Sequence, residues 1–212
     1  MYYSKQHKHT KSIKSVYNWS LAAGILLIIS SIPLSFVLPV SVSFENSWLE
    51  NLQVLALIAG SVYNFKWISK SADYQIADFH LWCAVLMIFM ALRELGWGRV
   101  FYPYDFNDKG PVFIGMKDIP WKVEAYIVIA LFIIFLTVFM FKKLPLSRMF
   151  KCRLPFVIIF FMLVGVVFSY CGDHGYIFGK LQGQIVEEFG ELAFYVLIPS
   201  LCIHYHRELS KI

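Results

Sequence analysis

The sequence has little charge and few cysteines. Only 16% of its 212 residues are charged, whereas 58% are hydrophobic and 18% are aromatic, which is far too apolar for a soluble domain of this size. The four cysteines follow no zinc-finger or lipidation spacing. Because only Cys171 falls in a predicted outer segment, we expect no intramolecular disulfide. The composition is that of a membrane protein.

Six apolar stretches are each long enough to cross a bilayer, which takes about 20 residues. They cover residues 19–40, 48–67, 76–97, 123–141, 154–170 and 186–204. Six spans leave no room for a separate soluble domain. We therefore predict an all-α, polytopic membrane helical bundle with six transmembrane helices, forming a single transmembrane domain over residues 1–212.

Basic residues predict which ends of the spans face the cytoplasm. Residues 1–18 contain lysines and histidines but no acidic residue, which is typical of a basic cytoplasmic flank. The apolar stretch that follows is longer than a signal-peptide core, so we expect an uncleaved signal anchor. Lys66 with Lys70, and the basic loop 142–153, should also lie inside. Both termini are then cytoplasmic, and the outer loops are residues 41–47, 98–122 and 171–185.

The formal net charge of +5 is explained largely by these clusters, which are distributed by membrane side. No nucleic-acid-binding motif accompanies them, so nucleic acid is not an expected partner. We expect a multi-pass protein of the bacterial inner membrane whose partners are membrane lipids. Association with further copies of the same chain is left open.

Glutamate recurs where the predicted helices re-enter the membrane from outside. Glu50, Glu124 and Glu187 each fall in the first turn of such a helix. An acidic residue there gains roughly 0.3 to 1 kcal/mol from the helix dipole, and this favours a structural reading of Glu124 and Glu187. Glu191 lies one turn further in, where the dipole effect has faded and desolvation costs more. We therefore expect Glu191 to be functional.

Further polar residues gather at the same predicted outer ends. The candidate catalytic residues are Glu50, Arg93, Glu94, Glu188 and Glu191, and the candidate substrate-binding residues are Asn51, Gln53, Trp97, His174 and Tyr195. A guanidinium can hold two carboxylates through bidentate hydrogen bonds, so Arg93 is the natural counter-ion. It cannot neutralise four glutamates. Some of them should be protonated, bind a cation, or meet a cationic or hydroxyl-bearing ligand. The alternative is an Arg–Glu pair that only joins helices.

A metal site and a nucleophile site are weaker candidates. Carboxylates with Asn51 suit Ca²⁺ or Mg²⁺, and His174 with Asp173 and Glu188 suits Zn²⁺. The metal candidates are Glu188, Glu191, Asp173 and His174, so a divalent cation is the one cofactor considered. Ser169 lies near Cys171, Asp173 and His174, the one cluster with nucleophile and base chemistry. The histidines at the inner helix ends, His80, His204 and His206, are interpreted as interfacial groups.

Residues 92–101, Leu-Arg-Glu-Leu-Gly-Trp-Gly-Arg-Val-Phe, carry a recognisable pattern. Together with residues 50–53 and 187–191, this stretch resembles uncharacterised multi-pass bacterial inner-membrane proteins in which a Glu-x-x-Trp-Gly motif ends a helix. The resemblance implies that Glu94 and Trp97, which belong to this motif, are residues of interest. It implies no particular reaction.

Three functions fit these observations. The first is a membrane-embedded enzyme that acts at the outer face on a lipid or lipid-linked substrate, with acids for proton transfer and an arginine for phosphate. The second is a proton or cation transporter or channel with its site at Glu188 and Glu191. The third is a non-catalytic membrane partner, such as an immunity or defence component. We favour the enzyme.

Overall fold

The chain folds almost entirely into helices. The computed structural model describes residues 2–107 and 110–212, with side chains for residues 14–105 and 111–212. The helices are α1 (Tyr2–Val37), α2 (Trp48–Ile68), α3 (Tyr74–Glu94), α4 (Lys122–Lys143), the short α5 (Leu146–Met149), α6 (Phe156–Asp173) and α7 (Gly179–Leu209). A small antiparallel hairpin of β1 (Pro103–Asn107) and β2 (Gly110–Phe113) lies between α3 and α4. The predicted helical class is confirmed, and the hairpin is an addition to it.

Four helices in the described part of the chain are long and apolar enough to cross a membrane. They are Lys14–Val37 of α1, together with α3, α4 and α6. Large apolar side chains remain on their surfaces. Ile134 and Val138 of α4 and Leu163 of α6, for example, are each roughly half exposed. Such a surface is compatible with contact to lipid and therefore with a membrane location.

The predicted second and sixth spans form helices but are not among these four. Their polar content is the physical reason. α2 carries Glu50, Gln53 and Asn64, and α7 carries three glutamates within residues 187–191. The six-span topology therefore remains a prediction.

Two compact units divide the chain. Unit 1 comprises Met1–Leu38 and Arg148–Ile212, and unit 2 comprises Pro39–Ser147. Unit 1 thus contains α1, α6 and α7, whereas unit 2 contains α2, α3, α4 and the hairpin. The single transmembrane domain expected for the whole chain remains a prediction.

In unit 1, α6 and α7 cross in direct backbone contact at two pairs of glycines. A Cβ atom added to Gly190 would lie 2.7 Å from the carbonyl oxygen of Gly165, and one added to Gly183 would lie 2.6 Å from that of Gly172. Both partners in each pair lie seven residues from the next pair, so they occupy one face of each helix. Small residues of this kind allow helices to pack closely where lipid provides no hydrophobic driving force between them.

The other partner of α7 in unit 1 is α1. A Cβ atom on Gly24 would lie 2.5 Å from Cγ of Leu197, so a larger residue here would force the Leu197 side chain to move. Nearby, the Ser200 hydroxyl donates to the Tyr17 carbonyl at 2.9 Å and lies 2.8 Å from the Ser20 hydroxyl. Hydroxyl groups buried between apolar helices are thereby satisfied, and α1 and α7 are held antiparallel.

In unit 2, α2 and α3 form a closely packed helical hairpin. Leu57 of α2 and Ala84 and Met87 of α3 are completely buried. The hydroxyl of Ser61 donates to the Ala84 carbonyl at 3.0 Å. α3 also contacts α4, where Nε1 of Trp82 donates to a backbone carbonyl, that of Leu136, at 3.0 Å. α3 is therefore the central helix of this unit.

The predicted third span, residues 76–97, is wrong at its carboxyl end. α3 ends at Glu94, three residues earlier. Gly96, Trp97 and Gly98 follow with φ of 52°, 56° and 92°. A right-handed helix cannot continue through three left-handed residues. Gly96 and Gly98 adopt this conformation readily because they lack a Cβ atom, so only Trp97 is strained.

The last helix begins earlier than predicted. α7 begins at Gly179 rather than near residue 186, and α6 continues to Asp173, so most of the predicted outer loop 171–185 is helical. Phe178 and Gly179 have φ of 58° and 76°. The chain reverses direction through these two left-handed residues, and the connection is correspondingly short.

We expect Gly190→Ala to destabilise the protein by about 1–3 kcal/mol, because the new methyl group collides with backbone rather than with a flexible side chain. Helix propensity alone would favour alanine by about 1 kcal/mol, so the sign of the change is diagnostic. The measurement is thermal unfolding of the purified protein in mild detergent. The matched control is Val166→Ala on the exposed face of α6, and equal or greater stability of Gly190→Ala would contradict the close crossing.

Candidate functional site

The glutamates of α7 lie well inside the helix. Because α7 begins at Gly179, Glu187 and Glu188 are in its third turn, and no acidic residue occupies the first. The dipole reading of Glu187 is therefore wrong, since that effect is confined to the first turn. Glu50 and Glu124, by contrast, do lie in the first turns of α2 and α4.

Glu191 forms a hydrogen bond across the glycine crossing. The Ser169 hydroxyl of α6 donates to Oε1 of Glu191 at 3.3 Å. Gly190 makes this approach feasible, because it brings the backbone of α7 against the α6 backbone at Ser169. Helix side chains lean toward the amino end, so the carboxylate lies nearer the amino-terminal turns of α7 than its own Cα atom does. Ser169 is four residues, or about 6 Å, from the end of α6.

Both side chains of this pair are neither buried nor fully exposed. The carboxylate is therefore partly exposed, and an additional ligand can reach it. Glu188, one turn earlier, has similar exposure, whereas Tyr195 is buried at 3% exposure within α7. Of the candidate residues predicted on α7, Glu188 and Glu191 are accessible, and Tyr195 belongs to the interior.

His174 is not the base of Ser169. Its Nδ1 lies 2.9 Å from the Tyr170 carbonyl and 3.5 Å from a carboxylate oxygen of Asp173. Its ring stacks on Tyr176 at a centroid distance of 5.5 Å. Asp173 and His174 thus form an exposed group at the end of α6, and the hydroxyl of Ser169 is directed to Glu191 instead.

No metal-binding group is found among the described side chains, in the sense of three or more His, Cys, Asp or Glu residues placed to hold one ion. The metal candidates Glu188, Glu191, Asp173 and His174 do not form such a cluster. A divalent cation at these residues remains a prediction without geometric support.

In unit 2, Glu50 and Asn51 are engaged with the loop that precedes α2. The Glu50 carboxylate accepts a hydrogen bond from the backbone N–H of Asn46, which has a left-handed φ of 59°. The Asn51 amide donates to the Ser47 carbonyl at 2.7 Å. Gln53, one turn further, is completely buried. Glu50 and Asn51 therefore stabilise the start of α2.

Arg93 and Glu94 form an ion pair at the end of α3, with Nη1 and Oε1 3.0 Å apart. The Arg93 side chain is 56% exposed and that of Glu94 only 8%. Beyond them, Trp97 packs edge-on against Phe89 at a centroid distance of 5.3 Å. The predicted pairing of Arg93 with Glu188 and Glu191 joins the two units and remains a prediction.

A second arginine, Arg99, was not predicted as a site residue, and it connects several loops of unit 2. The guanidinium of Arg99 pairs with Glu45 and also donates to the Ile114 carbonyl at 3.2 Å. Burial lowers the pKa of Arg99. One side chain thus joins the loop before α2, the turn after α3 and the end of the hairpin. Because Glu45 lies 54 residues from Arg99, no local pattern could have revealed the pair.

A buried polar pair within the α2–α3 hairpin was also missed. His80 is only 1% exposed and Asn64 is completely buried, with Nδ1 of His80 2.8 Å from Oδ1 of Asn64. The amide of Asn64 donates to the Gly60 carbonyl at 2.8 Å and faces the Met87 sulfur. Its oxygen therefore accepts from His80, which assigns the proton to Nδ1. The interpretation of His80 as an interfacial group is wrong.

We expect Asn64→Leu to cost about 1–3 kcal/mol, because the buried imidazole N–H loses its acceptor. The double variant Asn64→Leu/His80→Leu should recover most of that loss, since it removes the buried imidazole donor together with its amide acceptor. Thermal unfolding of both variants in detergent measures the difference. If the single variant is as stable as the parent protein, or the double variant is the less stable of the two, the pair is not structural.

Comparison with known protein families, curated proteins and solved structures finds no match for this chain. The resemblance of residues 92–101 to uncharacterised bacterial membrane proteins therefore remains a prediction, as does its emphasis on Glu94 and Trp97. The functional interpretation depends on the arrangement of residues described above.

Proposed function

We propose that this chain is a multi-pass protein of the bacterial inner membrane that acts on a lipid or lipid-linked substrate near the outer face. In this proposal all six predicted stretches cross the membrane and both termini are cytoplasmic. Glu191, assisted by Glu188, is the proton-transferring group. Arg93 and Glu94 keep the catalytic roles that the sequence predicts for them.

The single observation that carries the proposal is the Ser169–Glu191 pair. A carboxylate is expensive within a bilayer, by several kcal/mol at its centre, and is retained there mainly for function. Here it is reached by a hydroxyl about 6 Å from the end of a candidate span. In the proposed topology, that depth would lie at the boundary between headgroups and acyl chains, where the reactive bonds of lipids lie.

The chemistry of the pair suits proton transfer. A carboxylate that already accepts a hydrogen bond from a hydroxyl can equally accept one from a substrate hydroxyl or from water, and can take up its proton as a general base. An arginine such as Arg93, always charged and half exposed, can hold a phosphate group. Together these groups support transfer or hydrolysis at a phosphate-bearing lipid.

A proton-carrying function is the second candidate, and one observation favours it. His80 belongs to α3, which is itself a candidate span, and its ionisable side chain is only 1% exposed. Buried ionisable groups in membrane helices often mark proton pathways. In this reading Glu191 and His80 would be proton sites, and no lipid would be altered.

The test is a lipid-turnover assay with the full chain in liposomes of total bacterial polar lipid, followed by mass spectrometry of the lipids. We expect at least one lipid species to be converted, and Glu191→Gln to slow its conversion by about 100-fold or more, as for loss of a general base. Arg93→Ala should raise the substrate concentration that is needed. The matched control, Glu124→Gln, alters an exposed first-turn glutamate and should stay within about twofold of the parent.

Two results would contradict the proposal. One is conversion by Glu191→Gln at the parental rate while the variant inserts normally. The other is the absence of any converted lipid together with proton uptake into the liposomes, detected by an enclosed pH-sensitive dye and lost in His80→Phe. That result would establish the second function instead.

A further inference from the structure

The end of unit 1 opposite Glu191 collects basic side chains from three segments. Antiparallel packing brings the start of α1, the connector before α6 and the end of α7 together, as the bond between Tyr17 and Ser200 shows. The cations there are Lys14, Arg148, Lys151, Arg153, Arg207 and Lys211. In the sequence of this unit, Glu208 is the one acidic residue outside 173–191. The charge at this end is therefore strongly positive.

Glu208 does not neutralise the remaining cations, because its carboxylate is already engaged. It forms an ion pair with Lys211 and accepts a hydrogen bond from the Arg153 backbone. The hydrogen bond from Lys211 is the largest cause that lowers the pKa of Glu208. At His206, burial lowers the pKa, which favours the neutral imidazole at neutral pH. The net positive charge therefore remains on the lysines and arginines.

The connector that carries three of these cations is held in place. Nη2 of Arg148 donates to the Leu209 carbonyl at 2.8 Å, and the Cys152 thiol contacts the Arg148 carbonyl at 3.4 Å. Nε2 of His204 lies 2.6 Å from the Arg153 carbonyl. Lys151 and Arg153 are exposed on this fixed backbone. Their positions are thus organised before any ligand binds, which reduces the entropic cost of binding.

Large apolar side chains alternate with these two cations. Phe150 is 87% exposed, Leu154 is 53% exposed and Phe156 is 73% exposed. The orientation of a membrane protein by its cytoplasmic charges requires only lysines and arginines, and no exposed apolar side chains beside them. An anionic phospholipid presents acyl chains and a negatively charged phosphate. Apolar side chains can contact the acyl chains while neighbouring cations contact the phosphate.

We propose that residues 150–156, with Arg207 of α7, form a binding site for an anionic phospholipid of the membrane leaflet at this end. Lys151 and Arg153 contact the phosphodiester, and Phe150 and Phe156 lie against the acyl chains. The site is separate from Glu191 and does not depend on the proposed reaction there. Its occupant is a lipid rather than free phosphate, because the exposed apolar side chains of Phe150, Leu154 and Phe156 lie beside the cations along the chain.

The test is titration of the full chain in detergent with phosphatidylglycerol, followed by native mass spectrometry of the bound lipid. We expect Lys151→Gln/Arg153→Gln to weaken binding by about 10- to 30-fold, as for two cations near a membrane surface. The matched control is Lys142→Gln/Lys143→Gln. It removes two exposed cations from the end of α4 and should change binding less than about twofold, because those lysines lie outside the site. Lys151→Arg/Arg153→Lys, which keeps both charges, should bind as the parent does and shows that the fold is intact.

Three outcomes would overturn the site. Equal weakening by both glutamine pairs would indicate general charge attraction. Binding of phosphatidylcholine as tight as that of phosphatidylglycerol would exclude recognition of the negative headgroup. Displacement of the lipid by inorganic phosphate at millimolar concentration would make free phosphate the ligand. Conversion of lipid by the protein tests Glu191 separately and is unaffected by any of these results.

Discussion

The direct backbone contact between α6 and α7 is the constraint on which the rest of unit 1 depends. Helices that cross lipid gain nothing by hiding from water, so a candidate span such as α6 associates with its neighbour through close packing and internal hydrogen bonds. The pairs Gly165/Gly190 and Gly172/Gly183 provide that packing. The crossing places Ser169 against Glu191 near one end and His204 against the Arg153 carbonyl near the other. Both proposed sites are therefore positioned by the same helix pair.

In unit 2, buried polar and charged side chains are paired with each other. Its central hairpin encloses His80 and Asn64, each satisfied by the other, and its loops are joined by Arg99. In both cases the cost of removing a polar or charged group from water is offset by a specific partner. The result is a helical hairpin with a buried hydrogen bond, ending in a set of connected loops. Arg93 and Glu94 lie between these two features, at the end of α3.

Much of the helical architecture could be predicted from hydrophobic stretches alone, because each of the six stretches does form a helix. The ends were less predictable. Trp97 seemed to continue α3 because it is apolar, but the glycines on either side allow the chain to leave the helix. α7 begins seven residues before its apolar stretch, because Gln182 and Gln184 are compatible with a helix even though they are not apolar.

The candidate site was only partly predictable. Glu191 could be selected because it lies beyond the reach of the helix dipole, but its partner Ser169 is determined by the crossing of two helices. Arg99 and Glu45, like His80 and Asn64, meet only after folding. His80 and Asn64 could be noticed as isolated polar residues in apolar stretches, whereas Arg99 and Glu45 lie in predicted loops and gave no such signal. His174 was selected for its chemistry, but its ring is held by its own helix and a neighbouring tyrosine.

The α6–α7 crossing can be tested in a bilayer by solid-state NMR of the full chain in liposomes, with selectively labelled glycine. We expect a short-range correlation between Gly190 Cα and the carbonyl carbon of Gly165, since the backbones meet there. Assigned resonances for both glycines without that correlation would show that the helices do not touch, and neither the Ser169–Glu191 pair nor the arrangement at the basic end could then be retained.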